Sequence, residues 1–317
     1  MISTDIHLAA KFLKNEGVVG IPTETVYGLA ANAFSENAIR KIFDIKKRPT
    51  TNPLILHIKN YEELLKVGTD IPEMAHRLAK AFWPGPLTLI VNKQKHISNL
   101  VTAHQNTVAV RVPNHPLTLE LLNTIDFPLV APSANPFTRI SPTKALHVDD
   151  YFKTKIAMVL DGGSCSAGVE STIVGFNLNQ PIVYRLGAIS IEEIEKIAGK
   201  VTLLNAGKTK TTTPGMCKKH YAPSTKIILT SNILQELNHW KEKKIGLLLF
   251  QQTIPNVQLI HQKILSPEGD LKIATANLYN SLHELDTMNL DLIIAERFPD
   301  EGLGRTINDR LTRATKK

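Results

Sequence analysis

The stretch TVAVRVP, Thr107 to Pro113, decides the reading of the fold. Successive side chains of a strand point to opposite faces. Val108, Val110 and Val112 therefore share one face, and Thr107, Ala109 and Arg111 share the other. The valine face belongs in a core. Arg111 then stands on the opposite face of a strand that reads as internal. A guanidinium there needs an anionic partner, either a protein carboxylate or a ligand.

Outward from this strand, LTLIVN (87–92) and LILHI (54–58) read as further strands. So do 17–21, 128–131, 156–161, 172–176 and 181–185. Helices are predicted over about 4–15, from the N-cap Ser35 to Pro49, and over 72–82, 116–124 and 191–198. The irregular interleaving predicts α/β architecture with a twisted mixed sheet rather than a pure βαβ repeat. Residues 205–224 break the rhythm with Asn205, Gly207, a threonine run and PGMCKKHYAP. Beyond them, strands at 226–230, 245–250 and 290–295 alternate with helices near 231–240, 270–285 and 305–315. That pattern predicts a smaller, largely parallel α/β domain. The expected organisation is 1–204, a linker at 205–224, and 225–317.

The chain has 317 residues, 43% hydrophobic and 21% charged, which is a normal globular balance. Its net charge is 37 − 29 = +8, which favours polyanionic partners such as nucleotides or RNA. Two cysteines, Cys165 and Cys217, form no CxxC pair, so neither a zinc ribbon nor a disulfide framework is expected. No apolar run approaches the roughly 20 residues of a membrane span, and the N-terminal stretch is amphipathic. A cytoplasmic protein without membrane contact is expected.

Polar groups gather at strand ends. Thr23, Glu24, Thr25 and Tyr27 follow the first strand in PTETVYGLA. Lys46 and Arg48 close a helix, where cations complement its dipole; Arg48 can also grip phosphate oxygens bidentately. Asn52 and Pro53 continue a rigid turn, and His57 follows on the next strand. APSANPFTRISPT offers Ser133, Asn135, Ser141 and Thr143 as donors to phosphate or ribose, although SPT also suits a helix cap. GVESTIV brings Ser171 and Thr172 into a strand, and Arg185 ends another. There is no HExxH, no nucleophile elbow and no phosphate loop. A reaction driven by positioning and charge stabilisation, such as nucleotidyl transfer, suits this inventory.

PTETVYGLA, IKKRPTTNPL, FWPGPLTLI, TVAVRVP, PLVAPSAN with SPT, GVESTIV, RLGAI, PGMCKKHYAP and GLGRTINDRLTRA occur in this order along nearly the whole chain. Together they resemble the YrdC-type threonylcarbamoyl-AMP synthases in their longer, two-domain form. The resemblance implies a YrdC-like sheet with a concave basic cavity and a smaller Rossmann-like C-terminal domain. It implies the reaction L-threonine + bicarbonate + ATP → threonylcarbamoyl-AMP + pyrophosphate + water, feeding modification of tRNA beside the anticodon. It puts Thr25, His57, Arg111, the Ala131 backbone and Ser171 near threonine. It puts Arg48, Asn52, Thr107, Ser133, Ser141 and Arg185 near ATP, with Asn135 beside them, and Lys46 near the reacting groups. His220 and Tyr221 would form a lid. Mg2+ would arrive with ATP, and RNA and downstream threonylcarbamoyl-transfer proteins are the further partners implied. Phe137 and Thr138 stand where relatives carry a glycine, which implies a differently shaped loop. Cys217-Lys218-Lys219 stand where an aromatic residue and an arginine are common. The rival readings are an RNA-binding module without chemistry, which the 6% aromatic content disfavours, and a YrdC-like carbamoyl transferase.

Overall fold

The computed structural model describes residues 1–204, 220–255, 257 and 260–316. Among them, twelve strands form one large sheet. Its order runs Ile2–Ser3, Met158–Leu160, Val19–Ile21, Gly28–Asn32, Leu129–Val130, Ile55–His57, Thr107–Arg111, Leu87–Lys93, Thr172–Asn177, Gln180–Arg185 and Thr202–Leu203. Gly68–Thr69 pairs with Leu87–Lys93 off this path. Parallel and antiparallel pairs mix: Ile55–His57 runs parallel to Thr107–Arg111, which runs antiparallel to Leu87–Lys93.

The alternation in Thr107–Arg111 does what the sequence suggests. Val108, Val110 and Val112 enter the main core with Leu56, Leu89 and helix residues Ile39, Ile42 and Phe43. Ala109 lies on the other face with Ile55 and Ile173. Helix Glu36–Lys46 starts at Ser35, whose side chain accepts from the Ala38 amide. Helix Ile6–Lys14 starts the same way at Asp5 and buries Ala9, Ala10 and Leu13.

Among the described residues, five strands escape the sequence reading: Ile2–Ser3, Gly28–Asn32, Gly68–Thr69, Thr202–Leu203 and His261–Ile264. No strand is predicted from sequence at Gly28–Asn32. Its Gly and Ala residues have weak strand propensity, and only pairing with Val19–Ile21 and Leu129–Val130 makes it a strand. His261–Ile264 is a polar edge strand, paired on one side to Ile245–Leu249.

The smaller sheet has the order Lys226–Thr230, Leu292–Glu296, Ile245–Leu249, His261–Ile264, all parallel. Helices Leu271–Asp286 and Gly304–Ala314 pack on it. The same apolar cluster takes in Val26, Ile140, Val169 and Tyr221, so the smaller sheet docks onto loops at one end of the large one. Gly168 marks a close approach between them. Its φ is +70°, a left-handed value that glycine adopts without strain, and a Cβ there would lie 2.4 Å from the Ala276 carbonyl oxygen.

Candidate active site

The mixed topology brings polar strand ends together. His57 and Arg111 are in register on neighbouring strands. Thr172–Asn177 begins, and Gln180–Arg185 ends, at the same edge, with Ile173 opposite both Thr88 and Arg185. A cavity of about 50 Å3 forms there. Thr25, Arg48, His57, Arg111, Ala131, Ser133, Ser171, Arg185, His220 and Tyr221 all line it, joined by Thr23 and Glu170.

Arg111 finds a protein carboxylate: its Nη2 lies 2.6 Å from Glu24 Oε1. It also donates to Thr25 Oγ1 at 2.9 Å and to the Gly85 carbonyl at 3.1 Å. Thr25 and Thr23 share a 2.7 Å hydroxyl contact. The arginine therefore fixes the PTET turn while presenting part of its surface to the cavity.

Burial, reinforced by Arg111, pushes the His57 imidazole down to about 3, so the ring is neutral. Its Nδ1 lies 3.3 Å from the Ile55 carbonyl, which only accepts. Nδ1 therefore carries the proton, and Nε2 is left as an acceptor.

Arg48 donates to the Asn52 side chain at 2.6 Å and to the Asn52 and Pro53 carbonyls at 3.1 and 2.8 Å. The rigid turn thus aims the guanidinium, and Asn52 stands behind it. Lys46 is also set back from the cavity. Its ammonium donates to the carbonyls of Ser133, at 2.5 Å, and Asn135, pinning that loop from beneath. Burial, then the neighbouring Arg48, pulls its pKa well below the usual lysine value. Asn135 is buried and donates to the Pro136 and Arg139 carbonyls.

Ser141 does not cap the helix that begins at Ala145, whose N-cap Lys144 makes no side-chain cap bond. It donates to Glu170 Oε1 at 2.6 Å instead. Arg185 donates to the Ser171 carbonyl at 2.7 Å and to its hydroxyl at 3.1 Å. Ser171 also contacts Thr88 Oγ1 at 2.7 Å. Thr107 is the one named residue carried to the other end of its strand. It borders a cleft of about 430 Å3 with Asn92, Ile90 and Tyr184.

His220 and Tyr221 belong to the cavity lining. Burial pushes His220 down to about 3, with Arg48 and Lys46 adding to that against the pull of Glu170. Tyr221 stacks near Tyr279, lies under the Arg310 guanidinium at 4.7 Å, and has a left-handed backbone at φ 62°. Its hydroxyl is buried without a partner among the described residues, an arrangement that needs a reason. The next residue, Ala222, donates to the Thr138 carbonyl at 2.9 Å. Thr138 has φ 72°. The loop thus keeps a glycine-like conformation at a threonine, a strain of about 1–3 kcal/mol. The expected lid residues from Pro214 to Lys219 lie outside the described residues.

Thr88 and Glu170 were not singled out by sequence reasoning, and Glu24 was named only among the polar residues of its turn, without a role. Glu24 and Glu170 sit inside quoted motifs, each next to a hydroxyl residue assigned to the site, and that adjacency was the available signal. Among the described residues, no group of three His, Cys, Asp or Glu is placed to hold a metal ion. No described helix is long and apolar enough to cross a membrane.

The Sua5/YciO/YrdC family model, described as telomere recombination, matches residues 11–187. The threonylcarbamoyl-AMP synthase C-terminal domain matches 189–315. The chain belongs to this Sua5/YciO/YrdC family, in the form that carries the additional C-terminal domain. A Pyrococcus abyssi protein named threonylcarbamoyl-AMP synthase is 39% identical over 98% of this chain and 94% of its own length. A Bacillus subtilis protein of the same name is 38% identical over 96% and 91%. The crystal structure of P. abyssi Sua5 complexed with L-threonine superposes with a TM-score of 0.91 at 38% identity, covering 98% of this chain and 94% of that one.

Proposed function

We infer that this chain is a threonylcarbamoyl-AMP synthase, joining L-threonine, bicarbonate and ATP with release of pyrophosphate and water. The observation that carries this reading is the convergence of Thr25, His57, Arg111 and Ser171 with Arg48, Ser133 and Arg185 on one cavity beneath His220 and Tyr221. The full-length relatives named for this activity support it.

Threonine is assigned to the His57–Arg111–Ser171 end, with Thr25 and the Ala131 backbone. The lone pair on neutral His57 Nε2 accepts from the amino acid's ammonium or hydroxyl. Once deprotonated, the amine attacks bicarbonate carbon, and water leaves as the carbamate forms. A carbamate oxygen then attacks the α-phosphorus, and the bond to pyrophosphate breaks. Arg48 and Arg185 offset the charge that develops on the phosphates. Lys46 acts indirectly, by holding the carbonyls of the Ser133–Asn135 loop. Ser141 and Asn135 likewise support the ATP side rather than border the closed cavity.

Small-molecule pockets run to about 300–1,000 Å3, so a cavity of about 50 Å3 represents a closed lid. His220 and Tyr221 move aside for ATP and return to keep water from the mixed anhydride. The Tyr221 hydroxyl, which has no partner among the described residues, supplies a donor for a ligand oxygen. The nucleoside extends across the apolar floor of Ile55, Ala109, Ile173 and Ile90 toward Thr107 and Tyr184.

Mg2+ bound to the triphosphate would neutralise phosphate charge. The donor set here fits an ion brought by the nucleotide rather than a protein cage, because Glu170 is engaged by Ser141, Tyr279 and Arg310. The catalytic unit is assigned to 1–204, since Thr202–Leu203 pairs with Gln180–Arg185 and helix Ile191–Ala198 packs on Glu73–Phe82. The lid linker is 205–224 and the C-terminal unit 225–317. A labile product requires prompt transfer, so RNA and threonylcarbamoyl-transfer proteins in the cytoplasm are the partners assigned. The test supplies ATP, threonine and labelled bicarbonate and follows pyrophosphate. Release that depends on both threonine and bicarbonate is expected; release independent of either one overturns the reading.

A further inference from the structure

We propose that Arg310, in the final helix, is a positioning residue for synthesis: it holds the Glu170 carboxylate so that Arg185 keeps its charge for the ATP phosphates. The C-terminal region is then part of the active site rather than an appendage. This rests on the reading that the cavity takes ATP.

Glu170 is the acidic group on the cavity wall, which it shares with Arg48, Arg111 and Arg185. Arg111 is already engaged by Glu24. A loose carboxylate beside the remaining cations would oppose a triphosphate twice, by repelling it and by neutralising Arg185. The structure restrains Glu170 from several sides. Arg310 Nε donates to its Oε2 at 2.9 Å, and Tyr279 OH donates to the same oxygen at 3.1 Å. Ser141 Oγ donates to Oε1 at 2.6 Å. Both Arg310 and Tyr279 come from helices of the C-terminal region, and both are fully buried.

Arg310 is itself tightly placed. Nη2 donates to the Leu186 carbonyl at 2.7 Å, and Nη1 to Asp309 at 2.7 Å. Its guanidinium covers the Tyr221 ring, so one side chain braces both the carboxylate and the lid. Its neighbour Thr306 donates to the Gly187 carbonyl at 3.0 Å, fixing the helix beside the strand that carries Arg185.

The groups facing Glu170 are Arg185, Arg310 with Asp309 behind it, Tyr279, and His220 and Tyr221 of the lid. Burial alone would raise the Glu170 pKa; Arg310, then Arg185 and the Ser141 hydrogen bond, outweigh it and hold it near 2. Without Arg310, burial raises it again, and the carboxylate takes up a proton as pH falls.

The test uses the full chain and measures KM for ATP and for threonine, with kcat, across pH. Arg310→Met is expected to raise the ATP KM by about tenfold or more at neutral pH, one like-charge contact's worth. The threonine KM moves less. The ATP defect shrinks toward acid pH as Glu170 protonates, and Glu170→Gln in the same chain restores most of the ATP affinity. A purely structural role gives no such pH trend and no rescue, and either result overturns the proposal. Should Arg310→Met precipitate, Tyr279→Phe removes one donor to Glu170 and carries the same readout; an unchanged ATP KM there also overturns it. Arg185→Met separates the two readings. If it leaves ATP use intact, the ATP assignment itself fails. If it impairs ATP use while the Arg310 and Tyr279 variants are silent, only the proposal fails.

Discussion

Two buried arginine–glutamate pairs flank the cavity, and they are built differently. Arg111–Glu24, at 2.6 Å, lies within the large sheet and its adjoining turn. Arg310–Glu170, at 2.9 Å, crosses from the last helix of the smaller unit to a loop of the larger one. In both, the cation serves a loop that carries site hydroxyls: Thr25 in one, Ser171 next to Glu170 in the other. The difference teaches that the first pair can form within the larger sheet and its loops, whereas the second forms only when the smaller sheet and its helices dock on them.

The largest expected effect comes from breaking either pair by its cation. Arg111→Met or Arg310→Met leaves a buried carboxylate unpaired and should cost about 3–5 kcal/mol in chemical denaturation. The paired substitutions, Glu24→Gln with Arg111→Met and Glu170→Gln with Arg310→Met, should each cost less than the cation substitution alone. If the doubles are worse than the singles, the carboxylate charge is not what makes the singles costly.

Arg48→Ala tests a cation assigned to substrate rather than to a carboxylate. Its kcat/KM for ATP should fall about 100-fold, the scale of a lost oxyanion donor, with cooperative unfolding retained. Collapse of the fold with no separate kinetic defect would move Arg48 into the same class as Arg111.

Acid should weaken the fold through His57. Its folded pKa, pushed down to about 3, lies below the ordinary value of 6.5. The unfolded chain binds the proton more readily, so this stability is complete above about 6.5 and is lost as pH falls toward about 3. The slope is about 1.4 kcal/mol per pH unit for one histidine. His57→Gln should flatten the pH dependence of unfolding by that share. An unaltered slope would mean that the imidazole is not held neutral.

The smallest effect is expected at an exposed pair. Arg40 and Glu36 lie 3.6 Å apart with side chains 59% and 57% exposed. Arg40→Ala should change the unfolding free energy by no more than about 0.5 kcal/mol. A larger loss would show that solvent does not separate this pair from the buried ones.

Much of the site was legible. Arg111 announced itself as a cation on a strand that looked internal, and both alternatives for its partner remained open. The carboxylate proved to be Glu24, four residues from the Gly28 strand that propensity concealed. Ser141 looked equally suited to a cap or a ligand; its bond to Glu170 is neither. Lys46 was grouped with Arg48 because they are neighbours in sequence. Helix geometry sends it under the Ser133 loop instead. Thr107 shares a strand face with Arg111, but the strand's length separates their ends.

By itself, the sequence determined most of the longer strands and helices, which face of Thr107–Arg111 is core, and which motifs mark the family. Those properties depend on local periodicity and on residue type. Only the tertiary structure decided the partners of the buried charges. A buried carboxylate takes whichever cation the packing brings within hydrogen-bond reach, and for Glu170 that cation lies in the last helix of the chain.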